Sequence, residues 1–237
     1  TISGNITDAV TGDNVSSVDL KAYKGGTYVK STTTNNDGEY SFSNMNPGWH
    51  DVYSSKNGYI DENFWAYSCG NQSGQDNSIS TTLGTDVMRI VLKWPKTNPV
   101  TAQDLDSHLQ IPYLTPRIAG TECDGDSDKT DKCHLSRYTT QAANNATSVT
   151  GVSTRDYHQY TDIVSSGDYV TLDRDYNTDS PRPSPPGDET MTITKVRSGT
   201  YSYSVLNATD MDNGTPNYET NFSKSNAKVK ILYNKEL

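Results

Sequence analysis

The chain has 237 residues and a formal net charge of -9, and 32% of its residues are hydrophobic. This length allows one large or two ordinary domains. The acidic balance disfavours nucleic acid and anionic membranes as partners and favours divalent cations, and no run of 18 apolar residues predicts a membrane-spanning helix. Tyr outnumbers Phe by 16 to 3, which favours thin β-layers with wet outer faces over helical bundles.

Residues 1–85 contain short strand-like runs separated by turn sequences. The runs "TISGNIT" and "SVDLKAY" alternate with period two on either side of "TGDN". The runs "TYVKSTTT", "EYSFSN" and "WHDVYSS" follow, divided by "NNDG" and "NPG". Strands of about six residues with turn signals at this spacing predict a β-sandwich.

Three phrases in this region carry a family resemblance: "GNITDAVTG", "DGEYSF", and "PGWHDV" followed by "GY". The matching positions are Gly4, Asp8, Thr11, Gly12, Asp37, Gly38, Tyr40, Phe42, Pro47, Gly48, Val52, Gly58 and Tyr59. In this order they resemble a carboxypeptidase regulatory-like, or Cna-B-like, domain. The resemblance implies a seven-stranded transthyretin-like sandwich that acts as a spacer or docking module without catalysis. Some Cna-B relatives form an internal isopeptide bond promoted by a buried acid, but Ser54 occupies that place here, so none is expected.

Residues 86–237 predict a second β-sandwich. Its strand-like runs are "VMRIVLKW", "DLDSHLQIP", "DYVTLDRDY", "ETMTITKV", "GTYSYSVLNATD" and "NAKVKILY". Their order resembles a β-sandwich module of extracellular surface proteins that contains D-L-D-S-H and has no assigned reaction. Residues 113–168 replace a short connection of that module and predict an insertion, in which "RDYHQYTDIV" adds one or two strands. The predicted fold class is therefore all-β, with two tandem β-sandwich domains, the first transthyretin/Cna-B-like and the second carrying a long insertion.

Acidic residues of the second domain suggest a metal site. A strand places Asp104, Asp106 and His108 on one face and Leu105 and Leu109 on the other. Two further strand segments contribute Asp173, Asp175 and Glu189. If these strands lie side by side, the carboxylates converge at one rim, and oxygen ligands favour Ca²⁺. The alternative is a solvated rim on which Asp side chains cap turns.

A second calcium candidate lies in the insertion, where Asp124, Asp126 and Asp128 are spaced like the start of a calcium loop. The Gly and Glu that complete an EF-hand are absent, so a solvated acidic hairpin is the alternative. A catalytic interpretation is disfavoured, because the sequence contains no G-x-S-x-G, H-E-x-x-H or P-loop motif. Asp104 and Asp106 are also expected on an exposed strand face rather than in a cleft.

A cysteine pair suggests an oxidising compartment, and the sequons are compatible with secretion, although a chain this rich in Asn, Ser and Thr would contain several by chance. Cys123 and Cys133 bracket the acidic hairpin and predict a disulfide, while Cys69 is free, paired with one of the other two, or cross-linked to a neighbouring molecule. The sequence begins at Thr1 without an initiator Met or a signal peptide, so we expect a processed or excised chain. Candidate glycosylation sites lie at Asn5, Asn14, Asn71, Asn145, Asn207 and Asn221, and a seventh sequon at Asn213 is followed by Pro216.

Aromatic residues provide the last candidate site. Trp49, Tyr53, Trp65 and Tyr67 lie in two neighbouring strand-like segments and suit a sugar-binding platform, although such residues more often cover the end of a small β core.

We expect a non-enzymatic structural protein of the cell surface, a subunit of a filament, sheath or adhesive layer. It would associate with itself into a homopolymer through strand edges and be stabilised by calcium. The alternative is a carbohydrate-binding or adhesion module of a larger surface protein, with glycans as partners.

Overall fold

The structure is a computed structural model that describes residues 1–94, 105–112, 132–135, 158–161, 169–174, 187–196, 198–207 and 227–234. All regular secondary structure in these residues is β, as the sequence predicts. The chain divides into two compact units, with the boundary between Thr82 and Leu83. In the described part of the chain no helix is long and apolar enough to cross a membrane.

The first domain contains seven strands, the number that the family resemblance implies. They are β1 (Ile2–Asp8), β2 (Asp19–Lys24), β3 (Thr27–Thr33), β4 (Glu39–Phe42), β5 (Gly48–Ser55), β6 (Glu62–Ser68) and β7 (Asn77–Ile79). One sheet has the order β4-β1-β7 and the other the order β3-β2-β5-β6. All pairs within these sheets are antiparallel except β1 with β7.

The core of the first domain lies between its two sheets. Alternation along β2 and β4 turns every second side chain inward, so Leu20, Ala22, Tyr40 and Phe42 are buried while their neighbours are exposed. The fully buried side chains of this core include Ile2, Ile6, Val18, Leu20, Phe42, Val52 and Ala66. The hydroxyl of the buried Ser54 donates to the carbonyl oxygen of Glu62, 3.2 Å away.

The phrases of the family resemblance mark turns and close contacts. The Asp8 carboxylate accepts hydrogen bonds from the backbone N–H groups of Val10 and Thr11, at 2.7 and 3.0 Å, and closes the turn after β1. A Cβ on Gly4 would lie 2.5 Å from the backbone oxygen of Gln75, so only glycine lets these two segments approach this closely. These positions therefore specify the fold of the domain.

The second domain contains the remaining eight described strands. They are β8 (Val87–Trp94), β9 (Leu105–Pro112), β10 (Lys132–Leu135), β11 (His158–Thr161), β12 (Tyr169–Arg174), β13 (Gly187–Ile193), β14 (Ser202–Asn207) and β15 (Lys228–Asn234). A five-stranded sheet has the order β11-β12-β13-β8-β15, and a three-stranded sheet has the order β10-β9-β14. All of these pairs are antiparallel. Strand β11 confirms the strand predicted in "RDYHQYTDIV".

Two apolar clusters form the core of the second domain. The larger joins the five-stranded sheet to Leu109 of β9, and the smaller contains Leu92, Trp94 and Leu105. Both therefore contain side chains from each sheet. The inward direction of Leu105 and Leu109 confirms the strand orientation predicted from the D-L-D-S-H sequence.

Candidate binding face and the predicted acidic site

Four exposed aromatic side chains of the first domain, including both of its tryptophans, lie on β5 and β6. Trp49 is 57% exposed, Trp65 55%, Tyr53 51% and Tyr67 37%. The register places Trp49 directly opposite Tyr67, and Trp65 opposite Asp51. Opposite residues of an antiparallel pair project to the same side of a sheet. These four side chains therefore share one face, which points away from the core.

The largest side chains of these two strands, the two indoles, lie on the outward side. On β5 the inward positions hold His50, Val52 and Ser54, and on β6 they include Ala66 and Ser68, all buried. The indoles instead lie on the outward side, where each remains more than half exposed. Large contiguous apolar patches are uncommon on soluble domains and indicate interaction surfaces.

Two tyrosines extend this surface across the sheet. The Tyr23 ring lies edge-on to both Tyr53, at a centroid distance of 5.3 Å, and Tyr28, at 5.8 Å. Trp49 lies 6.3 Å from Trp65 and 4.9 Å from Tyr67. We call this surface the aromatic face; it comprises Tyr23, Tyr28, Trp49, Tyr53, Trp65 and Tyr67.

Polar side chains lie among the rings of the aromatic face. Asp51 lies between Tyr23 of β2 and Trp65 of β6 in the register, and Tyr53 lies between Lys21 and Asn63. The face thus offers ring surfaces together with a carboxylate, an amide and an ammonium group. Rings with neighbouring hydrogen-bonding groups can hold a ligand that has both apolar and hydroxyl-bearing sides.

The structure corrects one sequence-based interpretation of these residues. Packing over the end of the core was the favoured explanation, but the core lies on the opposite side of the same strands. Tyr23 and Tyr28 were not singled out from the sequence. A signal for Tyr23 was present, because Leu20 and Ala22 point inward and strand alternation then turns Tyr23 outward.

In the second domain, Asp106 and His108 lie on the face of β9 that points away from the core. The prediction that Asp106 stands exposed is wrong: its exposed fraction is 0%. His108 is half-buried. Asp104 lies outside the described residues.

Glu189 lies on the opposite side, between the two sheets. Its carboxylate accepts a hydrogen bond of 2.5 Å from the backbone N–H of Ser107, and both residues are buried. The Ser107 and Tyr203 hydroxyls lie 2.7 Å apart. Burial raises the pKa of Tyr203, the hydrogen bond with Ser107 lowers it, and the charge of Glu189 raises it further. Glu189 therefore joins β13 to β9 across the sandwich.

Asp173 lies on a third surface, the outward side of the five-stranded sheet. Its carboxylate accepts hydrogen bonds from the hydroxyls of Thr171 and Thr192, and the Arg89 Nε donates to the Thr192 hydroxyl at 3.1 Å. A register shift between Leu172 and Arg174 lets Asp173 and Arg174 project to the same side.

Arg174 forms a buried ion pair on that side. Its Nη1 lies 2.9 Å from the Asp188 carboxylate, and the side chains are 7% and 3% exposed. The side of the sheet that faces away from the core thus carries a buried polar network.

The described members of the predicted metal site do not converge. Asp106 and His108, Glu189, and Asp173 lie on three different sheet faces, because β9 and β13 alternate their side chains and Glu189 is held by the Ser107 backbone. Within the described residues, no group of three or more His, Cys, Asp or Glu side chains is placed to hold a metal ion. Asp175 and the loop acids Asp124, Asp126 and Asp128 lie outside the described residues, and calcium binding through them stays a prediction.

Cysteines and sequons are only partly covered by the structure. Cys69 is exposed and free. Cys123 lies outside the described residues, so the disulfide with Cys133 stays a prediction. Asn14 and Asn71 are exposed, Asn5 is half-buried, and Asn207 is buried. Asn145 and Asn221 lie outside the described part of the chain.

A polar depression lies beside β1 and β4 in the first domain. Its lining includes the carboxylates of Glu39 and Asp76. Glu39 accepts a hydrogen bond from the Asn35 side chain at 2.9 Å, and Asp76 accepts one from the Asn5 backbone at 2.7 Å. Both carboxylates thus hold loops in place, and we assign this depression no ligand.

Comparison with known proteins identifies the first domain. Residues 1–83 match the family model of the carboxypeptidase regulatory-like domain. The first domain belongs to this family. No curated protein matches the chain. The regulatory-like domain is non-catalytic, and its match ends at the boundary with the second domain, whose resemblance to the D-L-D-S-H module stays a prediction.

Proposed function

We propose that this chain is an extracellular carbohydrate-binding or adhesion module without catalytic activity, and that the aromatic face is its binding surface. The observation that carries the proposal is the exposure of both Trp49 and Trp65 by more than half on one side of a sheet. Structural demands of the sandwich do not account for these two indoles, because the core is complete without them.

A carbohydrate fits the chemistry of this face better than an apolar partner. A pyranose ring has an apolar C–H side that stacks on an indole and a rim of hydroxyl groups that need hydrogen-bond partners. Asp51 and Asn63 lie beside the rings and supply such partners. Trp49 and Tyr53 are four residues apart on β5, a span of about 13 Å along a strand, which suits a short stretch of a glycan chain.

The ring orientations favour a single soluble chain over a flat polysaccharide surface. The planes of Trp49 and Trp65 are inclined by 71°, and those of Trp49 and Tyr67 by 54°. A flat crystalline surface needs coplanar rings to contact several at once. We therefore expect binding to soluble oligosaccharides and little binding to microcrystalline material.

A glycan array followed by calorimetric titration of the best soluble ligand tests the proposal. We expect Trp49→Ala and Trp65→Ala each to raise Kd roughly 30-fold, since truncation of an aromatic anchor costs about 2 kcal/mol. Tyr233→Ala is the matched control, because it also removes an exposed ring but lies in the second domain. The proposal fails if no glycan binds, or if Tyr233→Ala weakens binding as much as the tryptophan variants.

Self-association is the second candidate function. In this proposal the chain is a structural subunit of a surface filament, sheath or adhesive layer, assembled through strand edges and stabilised by calcium. Its support is β15, which ends the five-stranded sheet within the described residues and carries exposed apolar side chains.

Sedimentation velocity and negative-stain imaging of the full chain, with calcium and with a chelator, test this candidate. Assemblies that grow with protein concentration and shrink with chelator are expected. A monomer at high concentration in calcium would exclude the assembly role while leaving glycan binding intact.

A further inference from the structure

Within the described residues, strand β15 forms an edge of the five-stranded sheet and carries exposed apolar side chains. Val229 is 44% exposed, Ile231 59% and Tyr233 42%. They lie directly opposite Leu92, Ile90 and Met88 of β8, so they project to the same side of the sheet as the core. Among the described strands, β8 alone pairs with β15, so the other edge of β15 has no partner strand in this part of the chain.

The backbone of the same three residues faces the open edge. The carbonyl oxygen of Asn234 accepts a 2.7 Å hydrogen bond from Asp86, the residue before β8. Backbone groups alternate in direction along a strand, so those of Tyr233, Ile231 and Val229 point away from β8. Their N–H and C=O groups are therefore directed toward a strand that the described part of this chain does not supply, while their side chains stand on the face of the sheet.

We propose that a second copy of this chain supplies that strand, and that β15 pairs antiparallel with β15 of its partner about a two-fold axis at Ile231. In this register Ile231 lies opposite itself and Val229 lies opposite Tyr233. Three consecutive outward-facing residues then exchange backbone hydrogen bonds, and their apolar side chains form one continuous stripe across the two copies.

The charge pattern of β15 selects this register. Lys230 lies opposite Leu232, and Lys228 lies opposite Asn234, so no lysine directly opposes a lysine. A parallel, in-register pairing would place each lysine beside its own copy, which is unfavourable. The antiparallel pair is also closed by its two-fold symmetry, so it yields a dimer and not a fibre.

This inference does not depend on glycan binding, and it specifies a surface for the self-association candidate. A single strand edge is small for a permanent interface, so we expect a weak dimer that forms as protein concentration rises. A polymer would need a second, separate contact.

Sedimentation equilibrium of the full chain and its variants tests the interface. Ile231→Pro removes an N–H group that points away from β8, so the sheet tolerates it, while it blocks pairing at the axis. Ile231→Lys places two ammonium groups opposite each other. We expect each to raise the dimer Kd at least about tenfold, while Trp65→Ala in the aromatic face leaves the Kd unchanged.

Disulfide cross-linking tests the register in a Cys69→Ser background, with the linked peptides identified by mass spectrometry. Ile231→Cys places two sulfurs on the axis at a Cα separation of about 5.5 Å, which a disulfide spans. Val229→Cys is the control, because its own copy lies four residues away along the partner strand. Efficient dimerisation of Ile231→Cys alone supports the inference. A monomeric parent chain at high concentration, unchanged dimerisation of Ile231→Pro, or equal cross-linking of both cysteine variants would overturn it.

Discussion

The buried ion pair of the second domain permits the sharpest prediction about stability. Arg174 Nη1 lies 2.9 Å from the Asp188 carboxylate, and neither side chain is more than 7% exposed. Removing one partner leaves the other charge buried without its counter-ion. Such a loss typically costs about 3–5 kcal/mol, whereas removing both partners costs much less than the sum. We therefore expect Arg174→Ala and Asp188→Ala each to lower the free energy of unfolding by about this amount.

The tryptophans allow this domain to be observed by itself. Trp94 is 1% exposed in the core of the second domain, while Trp49 and Trp65 are more than half exposed in the first. Phe at both exposed positions leaves Trp94 as the sole indole, and its fluorescence then reports unfolding of the second domain in urea. An unchanged m-value would show that a shifted midpoint reflects stability alone.

A double-mutant cycle measures the coupling energy between Arg174 and Asp188. We expect Arg174→Ala/Asp188→Ala to be more stable than the additive sum by about 2–3 kcal/mol, since contacting charged residues couple. Single variants that cost less than about 1 kcal/mol, or a strictly additive double variant, would refute the argument that this pair is a buried, coupled contact.

Three further predictions concern the first domain. Gly38→Ala should destabilise the domain more than Gly25→Ala: both glycines have positive φ (71° and 56°), but only at Gly38 would a Cβ meet backbone, 2.7 Å from the Ile6 oxygen. We expect Gly25→Ala to cost about 1 kcal/mol, seen as a fall in Tm of about 4–8 °C. Equal losses of stability in the two variants would contradict the contact at Gly38. Burial lowers the pKa of His50 from 6.5, while the Gly48 carbonyl raises it and Lys24 lowers it. The parent protein should therefore lose stability relative to the His50→Asn variant as pH falls below 6.5. Parallel profiles of stability against pH for the two proteins would disprove this. Burial raises the pKa of Asp76 from 3.8, partly offset by the hydrogen bond from Asn5, so the parent should lose stability relative to Asp76→Asn as pH rises above 3.8, a gap that unfolding at a series of pH values measures.

Local sequence patterns predicted the strands well because their physical cause is local. Alternation of apolar and polar residues makes one side of a strand suitable for burial, and turn residues such as Asp8 and Gly38 mark where the chain reverses. The inward direction of Leu105 and Leu109, and the opposite direction of Asp106, followed from the same rule. Sequence spacing therefore gave the face on which each of these side chains lies.

The sequence could not show whether the described acids of the predicted site meet, because convergence is not a local property. Whether Asp106, Asp173 and Glu189 meet depends on which strands pair, in what register, and which face each strand turns inward. Here Glu189 points between the sheets and accepts a hydrogen bond from the Ser107 backbone, while strand alternation places Asp173 beside Thr171 and Thr192 on the outward side. Composition and spacing cannot distinguish a calcium rim from hydrogen bonds that hold a sandwich together.

The amino-acid sequence by itself determined that this protein is built of β-strands, that its first domain is a regulatory-like sandwich, and which side of each strand is apolar. These features depend on neighbouring residues and on the period of the strand. Only the tertiary structure decided that the tryptophans of β5 and β6 lie on the outward side and that β15, within the described residues, ends its sheet with exposed apolar side chains. Both outcomes depend on which surface each sheet turns toward its partner, and contacts between residues distant in the chain determine that choice.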